Sequence, residues 1–254
     1  MQTGPFISIV LPVHNEEKNI GVLLAEIASV FENNIRKSYE IITIDDASDD
    51  TSIAVAEKFR NEKSCSSCAD SFLLPDNIHI FSQPFRSGQS KALMRGMTTA
   101  KGALIVTMDA DLQHDPSDIP KLLEKMDSYD MICGIRKGRS DGIARLLCSK
   151  IANAFRNMIT GDSISDSGCT FRIMRKECVA ACMPIDGKLF GCEFLFHPLF
   201  VRRRGFRVGE TVVSHRLRSA GKSNYKLIRG RFLRGIAACI RVRKILSDIT
   251  QNNR

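Results

Sequence analysis

The chain has 254 residues, of which 43% are hydrophobic and 26% charged, and it carries a formal net charge of +9. This composition is typical of a folded globular protein and excludes a disordered or fibrous chain. Its apolar runs, about six to eight residues long, are too short for a membrane-spanning helix of about 20. No charged and then apolar signal segment opens the sequence, and its nine cysteines do not form the paired framework of a disulfide-bonded protein, so we expect a cytoplasmic protein.

Apolar runs rich in β-branched residues alternate with amphipathic segments of helical length. The predicted strands are Phe6–Pro12, Glu40–Asp45, Asn77–Phe81, Ala103–Met108 and Asp130–Gly134. The predicted helices between them are Glu16–Phe31, Asp49–Arg60, Gly88–Ala100 and Pro116–Met126. Asn15, the acidic run from Asp49 and Asp115 provide capping side chains before three of these helices. Strands separated by helices predict an α/β domain with a mostly parallel sheet.

A polar stretch from Asn61 to Asp76 separates the second helix from the third strand and contains Cys65-Ser-Ser-Cys68. A structural zinc site would need two further ligands, and no second pair lies at a suitable spacing. We therefore interpret the stretch as a surface loop, with a metal or redox site as the alternative.

Charge is distributed unevenly along the chain. Residues 1–120 hold 10 Lys and Arg against 17 Asp and Glu, whereas residues 121–254 hold 27 against 11. This asymmetry predicts a polyanionic partner for the second part of the chain.

Polar and acidic residues follow three of the predicted strands. Asp109 and Asp111 come directly after the fourth strand, Asp46 comes after the second, and His14 follows the first. The carboxyl ends of parallel strands share one edge of the sheet, where open α/β sheets bind ligands. Asp109 and Asp111, with Gln113 as a third ligand, suit Mg²⁺ or Mn²⁺, and turn formation is the alternative. The acidic residues that we interpret instead as favouring helix N-termini are Glu17, Asp49 and Asp50.

Five motifs, in this order and spacing, give the chain a specific resemblance. They are Pro12-Val-His-Asn-Glu-Glu17, Asp45-Asp-Ala-Ser-Asp-Asp-Thr51, Asp109-Ala-Asp-Leu-Gln-His-Asp-Pro116, Asp166-Ser-Gly-Cys-Thr-Phe-Arg172 and Gly221-Lys-Ser-Asn-Tyr225. The chain resembles the inverting family 2 glycosyltransferases of GT-A fold, and among them the polyprenyl-phosphate (dolichyl- or undecaprenyl-phosphate) branch. The resemblance implies a GT-A domain, which we place at 1–225, and the residues that follow predict a basic amphipathic helical segment at 226–254.

The same resemblance implies that a nucleotide-sugar donor binds along the strand ends, with Asp46 at its base or ribose. The residues implied to contact the donor are Pro12, His14, Glu16, Asp46, Asp109, Arg136, Arg218 and Lys222. It also implies that Asp109, Asp111 and Gln113 hold Mn²⁺ or Mg²⁺ against the donor diphosphate. The metal would neutralise charge that develops on the leaving nucleoside diphosphate, which makes Asp111 catalytic.

Arg136 and Arg145 occupy positions that the resemblance assigns to the acceptor and donor phosphates, with a catalytic role for Arg145. A guanidinium suits this task because it can hold a phosphate by two hydrogen bonds, and a solvated basic face is the alternative. The catalytic role of Asp166 depends on the acceptor. A sugar hydroxyl needs a carboxylate to remove its proton, whereas a lipid phosphate is already ionised and leaves Asp166 to orient the sugar or Arg145.

The segment from Lys226 to Leu246 contains seven basic residues and no acidic one. The apolar residues that share one face of a helix there are Leu233, Ile236, Ala237 and Ile240. A basic amphipathic helix suits an anionic membrane surface, and a helix packed on the domain with a solvated rim is the alternative. We expect peripheral attachment to the cytoplasmic face of a membrane.

The sequence thus predicts a metal-dependent inverting glycosyltransferase that moves a sugar from a UDP- or GDP-linked donor to a polyprenyl phosphate. One alternative is transfer to a sugar hydroxyl of a glycan or glycolipid, with Asp166 as base. The other is a non-catalytic protein that binds nucleic acid or another anionic surface. After Phe200 the aromatic residues are only Phe206, Tyr225 and Phe232, too few for base stacking among so many cations, so we expect no nucleic-acid partner.

Overall fold

The computed structural model of the chain describes residues 5–65, 73–137, 143–184, 191–218 and 228–252. Its strands are β1 (Ile7–Val13), β2 (Tyr39–Asp45), β3 (Leu73–Ser82), β4 (Leu104–Thr107), β5 (Met131–Lys137), β6 (Arg172–Arg175) and β7 (Val208–Ser214). Its α-helices are α1 (Ile20–Val30), α2 (Ser52–Cys65), α3 (Gln89–Thr99), α4 (Ile119–Leu123), α5 (Ile143–Thr160), α6 (Cys178–Cys182), α7 (His197–Arg203) and α8 (Ile228–Asn252). The loop predicted from Asn61 to Asp76 was too long, because α2 continues to Cys65 and β3 begins at Leu73. Residues 66–72, with Cys68, lie outside the described ranges.

The strands of the described residues form one sheet in the order β3-β2-β1-β4-β6-β5-β7. β1 pairs in parallel with β2 and β4, and β5 pairs in parallel with β7, whereas β6 runs antiparallel between β4 and β5. The parallel strands are connected through helices, as crossover connections require. The predicted α/β fold with a mostly parallel sheet is confirmed, and β6 and β7 are additions that the sequence pattern did not predict.

Helices cover both faces of the sheet, because alternate residues of each strand point to opposite sides. Ile9 of β1 is buried in a cluster with Leu23 of α1. Its neighbour Val10 is buried in a second cluster with Met97 of α3. Burial of apolar surface stabilises a fold by about 25 cal/mol per Å², so packing on both sides fixes the strand ends that carry the site.

Helix α1 begins later than the sequence predicted. Its first residue is Ile20 rather than Glu16. Asn15, the predicted capping residue, has a left-handed backbone with φ of +59°, and its side chain pairs with Asp49. The predicted cap at Asn15 was wrong, because this part of the chain forms the loop that positions Glu16.

The other two capping predictions are confirmed. Asp50 Oδ1 accepts a hydrogen bond from Ser52 N at 2.9 Å, where α2 begins. Asp115 Oδ1 accepts one from Ser117 N at 3.0 Å, in the short 3₁₀ turn that leads into α4. Both carboxylates satisfy backbone donors that have no partner inside the helix.

Helix α8 spans most of the predicted basic C-terminal segment. One of its faces, with Cys239 and Val242, is buried against Phe196 and Phe200. The apolar face that the sequence spacing predicted, which includes Ile240, lies on the opposite side of the helix, and Ile240 is 59% exposed. In the described ranges, no helix combines the length and apolarity needed to cross a membrane.

Candidate active site

The carboxyl ends of β1, β2 and β4 meet at one edge of the sheet. Val13 lies opposite Asp45 in the β1–β2 ladder, and Asp46 N extends that ladder with a hydrogen bond to Val13 O at 2.8 Å. On the other side of β1, β4 ends at Thr107, two residues before Asp109. The structure therefore brings together the three strand ends that the sequence analysis singled out.

A residue with left-handed backbone follows each of these three strands. Asn15, Ala47 and Leu112 have φ values of +59°, +56° and +61°. For residues with a side chain this conformation costs roughly 1–2 kcal/mol. Such strained residues cluster at binding and catalytic sites, since the surrounding structure must hold them in place. Their position in three converging loops indicates a functional site.

Glu16, Asp109 and Asp111 form what we call the acidic centre. Gln89 Nε2 donates to Asp109 Oδ1 at 2.7 Å, and Gln113 N donates to Asp111 Oδ1 at 3.1 Å. Burial raises the pKa of each of the three carboxyl groups. The charge of Asp109 raises the pKa of Asp111 further, and the charge of Asp111 does the same for Glu16. A cation placed among these groups would relieve their repulsion.

The donor set of the acidic centre fits a hard divalent cation, because such ions prefer carboxylate and amide oxygens. Gln113 Nε2 lies 3.4 Å from His215 Nε2, so the end of β7 lies against this amide. Among the described residues, no group of three or more His, Cys, Asp or Glu is arranged to hold a metal ion. A metal on Asp109 and Asp111 would thus complete its coordination with Gln113, water or ligand oxygens.

His114 supports the Asp109 loop from the protein interior. Its Nδ1 accepts a hydrogen bond from Asp109 N at 3.3 Å, and its ring stacks on Phe171 with centroids 5.3 Å apart. Burial lowers the pKa of His114 to about 3. The ring is therefore neutral near pH 7, as the acceptor role of Nδ1 requires.

Asp46 holds the loop that leads into α3. Its Oδ1 accepts a hydrogen bond from Ser87 N at 2.6 Å, and its Oδ2 accepts one from Gly88 N at 2.8 Å. Gly88 has φ of +91°, a conformation that glycine adopts without the cost of a side chain. The ring of His14 is fixed in turn, with Nδ1 3.0 Å from Asp46 O. Contact of Asp46 with a base or ribose stays a prediction.

Residues 214–218, which we call the strap, run from the end of β7 to the acidic centre. Arg216 anchors the strap with ion pairs of 2.8 Å to Glu26 and to Asp115. Arg218 Nη2 then donates to Glu16 Oε1 at 2.6 Å. Although burial raises the pKa of Glu16, the charge of Arg218 offsets part of that effect. The strap thus places the guanidinium group of Arg218 beside Glu16 of the acidic centre.

Arg136, near the end of β5, forms a two-point ion pair with Asp166. Its Nε donates to Oδ2 and its Nη2 to Oδ1, each at 2.8 Å, and its backbone N donates to Oδ2 at 3.3 Å. Although burial opposes the charged form, the hydrogen bonds and charge of Asp166 raise the pKa of Arg136. The same guanidinium offsets part of the burial effect that raises the pKa of Asp109. Arg136 therefore links the acidic centre to Asp166.

Polar side chains from β6 and α5 hold the loop of residues 162–171 that carries Asp166. Arg172 donates to Ser167 O at 2.8 Å and to two further backbone carbonyl groups. Asn153 of α5 donates to Ser165 O at 3.1 Å and accepts from Ser167 Oγ at 2.6 Å. The position of Asp166 is thus set by β6 on one side and by α5 on the other.

Most of the predicted site residues lie along this sheet edge. They are Pro12, His14, Glu16, Asp46, Asp109, Asp111, Gln113, Arg136, Asp166 and Arg218. The side chain of Arg145 and all of Lys222 lie outside the described residues. Sequence analysis missed Gln89 and His215. A signal existed for Gln89, which begins a helix at the same edge, but none for His215, because it follows a strand that was not predicted.

The chain belongs to glycosyl transferase family 2. The sequence profile of this family matches residues 8–181, a span that begins in β1, contains the acidic centre and ends in α6. The resemblance drawn from the five motifs is therefore confirmed at the level of the family.

Curated relatives cover most of this chain. The dodecaprenyl-phosphate galacturonate synthase of Rhizobium johnstonii is 32% identical over 88% of this chain and 62% of its own length. The undecaprenyl-phosphate 4-deoxy-4-formamido-L-arabinose transferase of Edwardsiella ictaluri is 32% identical over 90% of this chain and 65% of its own length. The chain thus spans less than two thirds of the length of these relatives.

Solved structures share the fold. Glucosyl-3-phosphoglycerate synthase from Mycobacterium tuberculosis, in complex with Mn²⁺, UDP and phosphoglyceric acid, superposes with a TM-score of 0.64 at 20% identity, over 95% of this chain and 79% of that chain. The complex of the same enzyme with Mn²⁺ and UDP-glucose gives a TM-score of 0.64 at 18% identity, over 95% and 80%. At these identities the similarity is one of fold, and the predicted fold class is confirmed.

Proposed function

We propose that this chain transfers a sugar from a nucleotide-sugar donor to a polyprenyl phosphate, with Mn²⁺ or Mg²⁺ bound at the acidic centre. Family membership supports the reaction class. Two relatives whose names specify dodecaprenyl or undecaprenyl phosphate support the acceptor class. In this chain, the two-point ion pair between Arg136 and Asp166 favours a phosphate acceptor over a sugar hydroxyl.

A sugar hydroxyl must lose its proton as it attacks, so an acceptor of that kind needs a carboxylate that can take up this proton. Both oxygens of Asp166 already accept hydrogen bonds from Arg136. Proton uptake would remove the negative charge that makes these two bonds about twice as strong as neutral ones. A phosphate acceptor is ionised already and needs no base. The pair is therefore better suited to orient Arg136 toward an anionic acceptor than to remove a proton.

The donor half of the site follows from the acidic centre and the strap. Bound at Asp109 and Asp111, a divalent cation supplies charge neutralisation for the leaving diphosphate. Arg218, which pairs with Glu16, carries the charge and geometry to bind a phosphate oxygen in place of that carboxylate. This proposal includes four further roles predicted from the sequence. Pro12 and Lys222 contact the donor, Asp46 contacts its base or ribose, and Arg145 binds a phosphate.

The acceptor lipid also implies where the protein works. Polyprenyl chains reside in membranes, and the basic helix α8 is suited to an anionic membrane surface. We infer peripheral attachment to the cytoplasmic face, which agrees with the strongly basic second part of the chain.

Ligand-induced stabilisation tests the donor site. UDP, GDP and their sugars are added with Mn²⁺ or with EDTA to the wild type, to Asp111→Asn and to a control, Asp127→Asn, which alters an exposed carboxylate away from the strand ends. A ligand at 100 times its Kd stabilises by about 2.7 kcal/mol, which raises the Tm by roughly 5–10 °C for a domain of this size. We expect a metal-dependent shift that Asp111→Asn abolishes and Asp127→Asn retains. No shift with any nucleotide would contradict the proposal.

Product analysis tests the acceptor. The protein is incubated with the donor that binds, Mn²⁺ and a short-chain polyprenyl phosphate, and in parallel with the matching polyprenyl alcohol and with simple glycosides. Mass spectrometry should detect sugar on the phosphate alone. Transfer to the glycoside but not to the phosphate would support the hydroxyl acceptor and contradict the proposal.

A further inference from the structure

The outward side of α5 carries an apolar stripe that serves neither the core nor the acidic centre. Met158 is 74% and Ile151 57% exposed, and Phe155 between them is partly exposed. Residues three and four positions apart lie on the same side of a helix, so these side chains form one stripe. The inward side of the same helix is closed, with Arg156 and Thr160 buried.

Helix α8 lies beside α5 and has exposed apolar residues of its own. The two helices pack together, with Ile159 of α5 against the cluster that holds Cys239 and Val242 of α8. On the outward side of α8, Ile240 and Ala237 are exposed. We call the outward residues Ile151, Phe155, Met158, Ala237 and Ile240 the two-helix face.

The same two helices also carry exposed cations. Lys150, Arg243 and Lys244 are exposed on the same two helices. Across their full lengths α5 and α8 contain Asp248 as their only acidic residue in the sequence. Apolar side chains flanked by Lys and Arg match the interface of an anionic bilayer, where acyl chains lie beneath negative headgroups. A second copy of this chain would bring the same cations together and be repelled.

The inward side of α5 connects this surface to the site. Asn153 is bonded to Ser165 and Ser167, and Asn157 Nδ2 donates to Ile164 O at 3.0 Å. The loop that carries Asp166 therefore rests directly on α5. Because a helix with its side chains is about 10–12 Å across, a membrane on the outward side would lie about one helix diameter from that loop.

We propose that the two-helix face docks on an anionic lipid bilayer and holds the Arg136–Asp166 side of the site next to it. This inference rests on the proposed function for its purpose, since a lipid-linked acceptor must be met at the bilayer surface. Its physical basis is independent of catalysis: exposed apolar side chains on two adjacent helices and exposed cations on the same helices.

Flotation with vesicles tests the docking. The wild-type chain is mixed with phosphatidylcholine vesicles with and without phosphatidylglycerol, in the absence of donor and of polyprenyl phosphate. We expect binding to the anionic vesicles that salt weakens. Ile151→Ser/Met158→Ser should bind roughly tenfold more weakly, whereas Val22→Ser, which alters an exposed apolar residue on α1, should bind as the wild type does.

A charge series completes the experiment. Substituting Lys150, Arg243 and Lys244 by Gln should weaken binding by roughly fivefold per charge removed, and Lys58→Gln on α2, an exposed cation elsewhere, should have no effect. The docking proposal would be overturned if the wild-type protein did not bind anionic vesicles. It would also be overturned if the stripe variants bound them as tightly as the wild type does. A wild-type dimer that the stripe variant converts to monomers without any vesicle binding would overturn it as well.

Transfer to a short-chain polyprenyl phosphate in solution separates this proposal from the function itself. Stripe variants should retain wild-type rates in that assay, since the two-helix face lies outside the acidic centre. If the wild type bound vesicles but transferred no sugar, the docking proposal would be supported and the proposed reaction would be contradicted.

Discussion

Replacing Asp166 by Asn tests whether this residue positions Arg136 or acts as a base. The amide has the shape of the carboxylate and keeps one oxygen for Arg136, but it removes the charge and the second acceptor. Removing one partner of a buried ion pair costs about 3–5 kcal/mol, and both side chains here are at most 15% exposed. Because one hydrogen bond survives, we expect a loss of about 2 kcal/mol, which lowers the Tm by roughly 4–8 °C.

The catalytic consequence distinguishes the two roles. If Asp166 orients Arg136, Asp166→Asn raises the KM for polyprenyl phosphate and leaves the shape of the pH–rate profile unchanged. Arg136→Lys should produce the same change, and the double variant should lose little more than either single one, because the residues act as a unit. Initial rates against acceptor concentration, measured from about pH 5.5 to 9, provide both readouts.

Asp130→Asn is the matched control, because Asp130 also pairs with arginines, Arg175 and Arg207, but lies at the opposite end of β5. It should leave the kinetics unchanged. The reasoning would be refuted by a hundredfold or greater fall in kcat in Asp166→Asn, with unchanged acceptor KM and loss of the acidic limb of the profile. That outcome would make Asp166 a base and favour a hydroxyl acceptor.

Three further variants test the surroundings of the site. Burial lowers the pKa of His197, so below about pH 6.5 the unfolded chain binds a proton there that the folded chain does not, and this residue lowers stability by about 1.4 kcal/mol per pH unit. Because His114 contributes in the same way, His197→Phe should reduce the slope of stability against pH by about that amount, but not to zero, in urea unfolding at pH 7 and 5. An unchanged slope would contradict this. Gln89→Ala should weaken Mn²⁺ binding roughly 10- to 100-fold by freeing Asp109, as measured by calorimetry; unchanged affinity would exclude a positioning role. Arg216→Ala, which releases Glu26, should cost at most about 1 kcal/mol of stability yet raise the donor KM, and an unaltered KM would argue against the strap.

The parts of the fold that the sequence predicted are those with strong periodic signals. β1, β2 and β4 are apolar runs that end in acidic or polar residues, so both these strands and the meeting of their carboxyl ends at one edge of the sheet could be predicted. β6 could not, because it has four residues of which two are arginines, and Arg172 is buried for reasons that only the folded loop explains. The late start of α1 was also hidden, since Asn15 in the left-handed region looks like a cap in the sequence.

Hydrogen bonds between distant segments could not be predicted from the sequence either, because they form only once the chain has folded. Nothing in the order of residues pairs Gln89 with Asp109 or Arg136 with Asp166. For α8 the sequence offered a packing helix or a membrane-facing helix as alternatives. The structure shows two apolar faces, one buried at Val242 and one exposed at Ile240, so the packing interpretation holds for one side of the helix and the other side remains available.

The reversed direction of β6 determines how the two halves of the site are attached to the chain. Asp109 and Arg136 come late in or after strands that run toward the site, whereas Asp166 precedes a strand that runs away from it. A longer or shorter loop before β6 would therefore move Asp166 while the paired register of β4 and β5 stays as it is. Under the proposed function, a change in the length of this loop would thus alter the acceptor side of the site and leave the acidic centre in place.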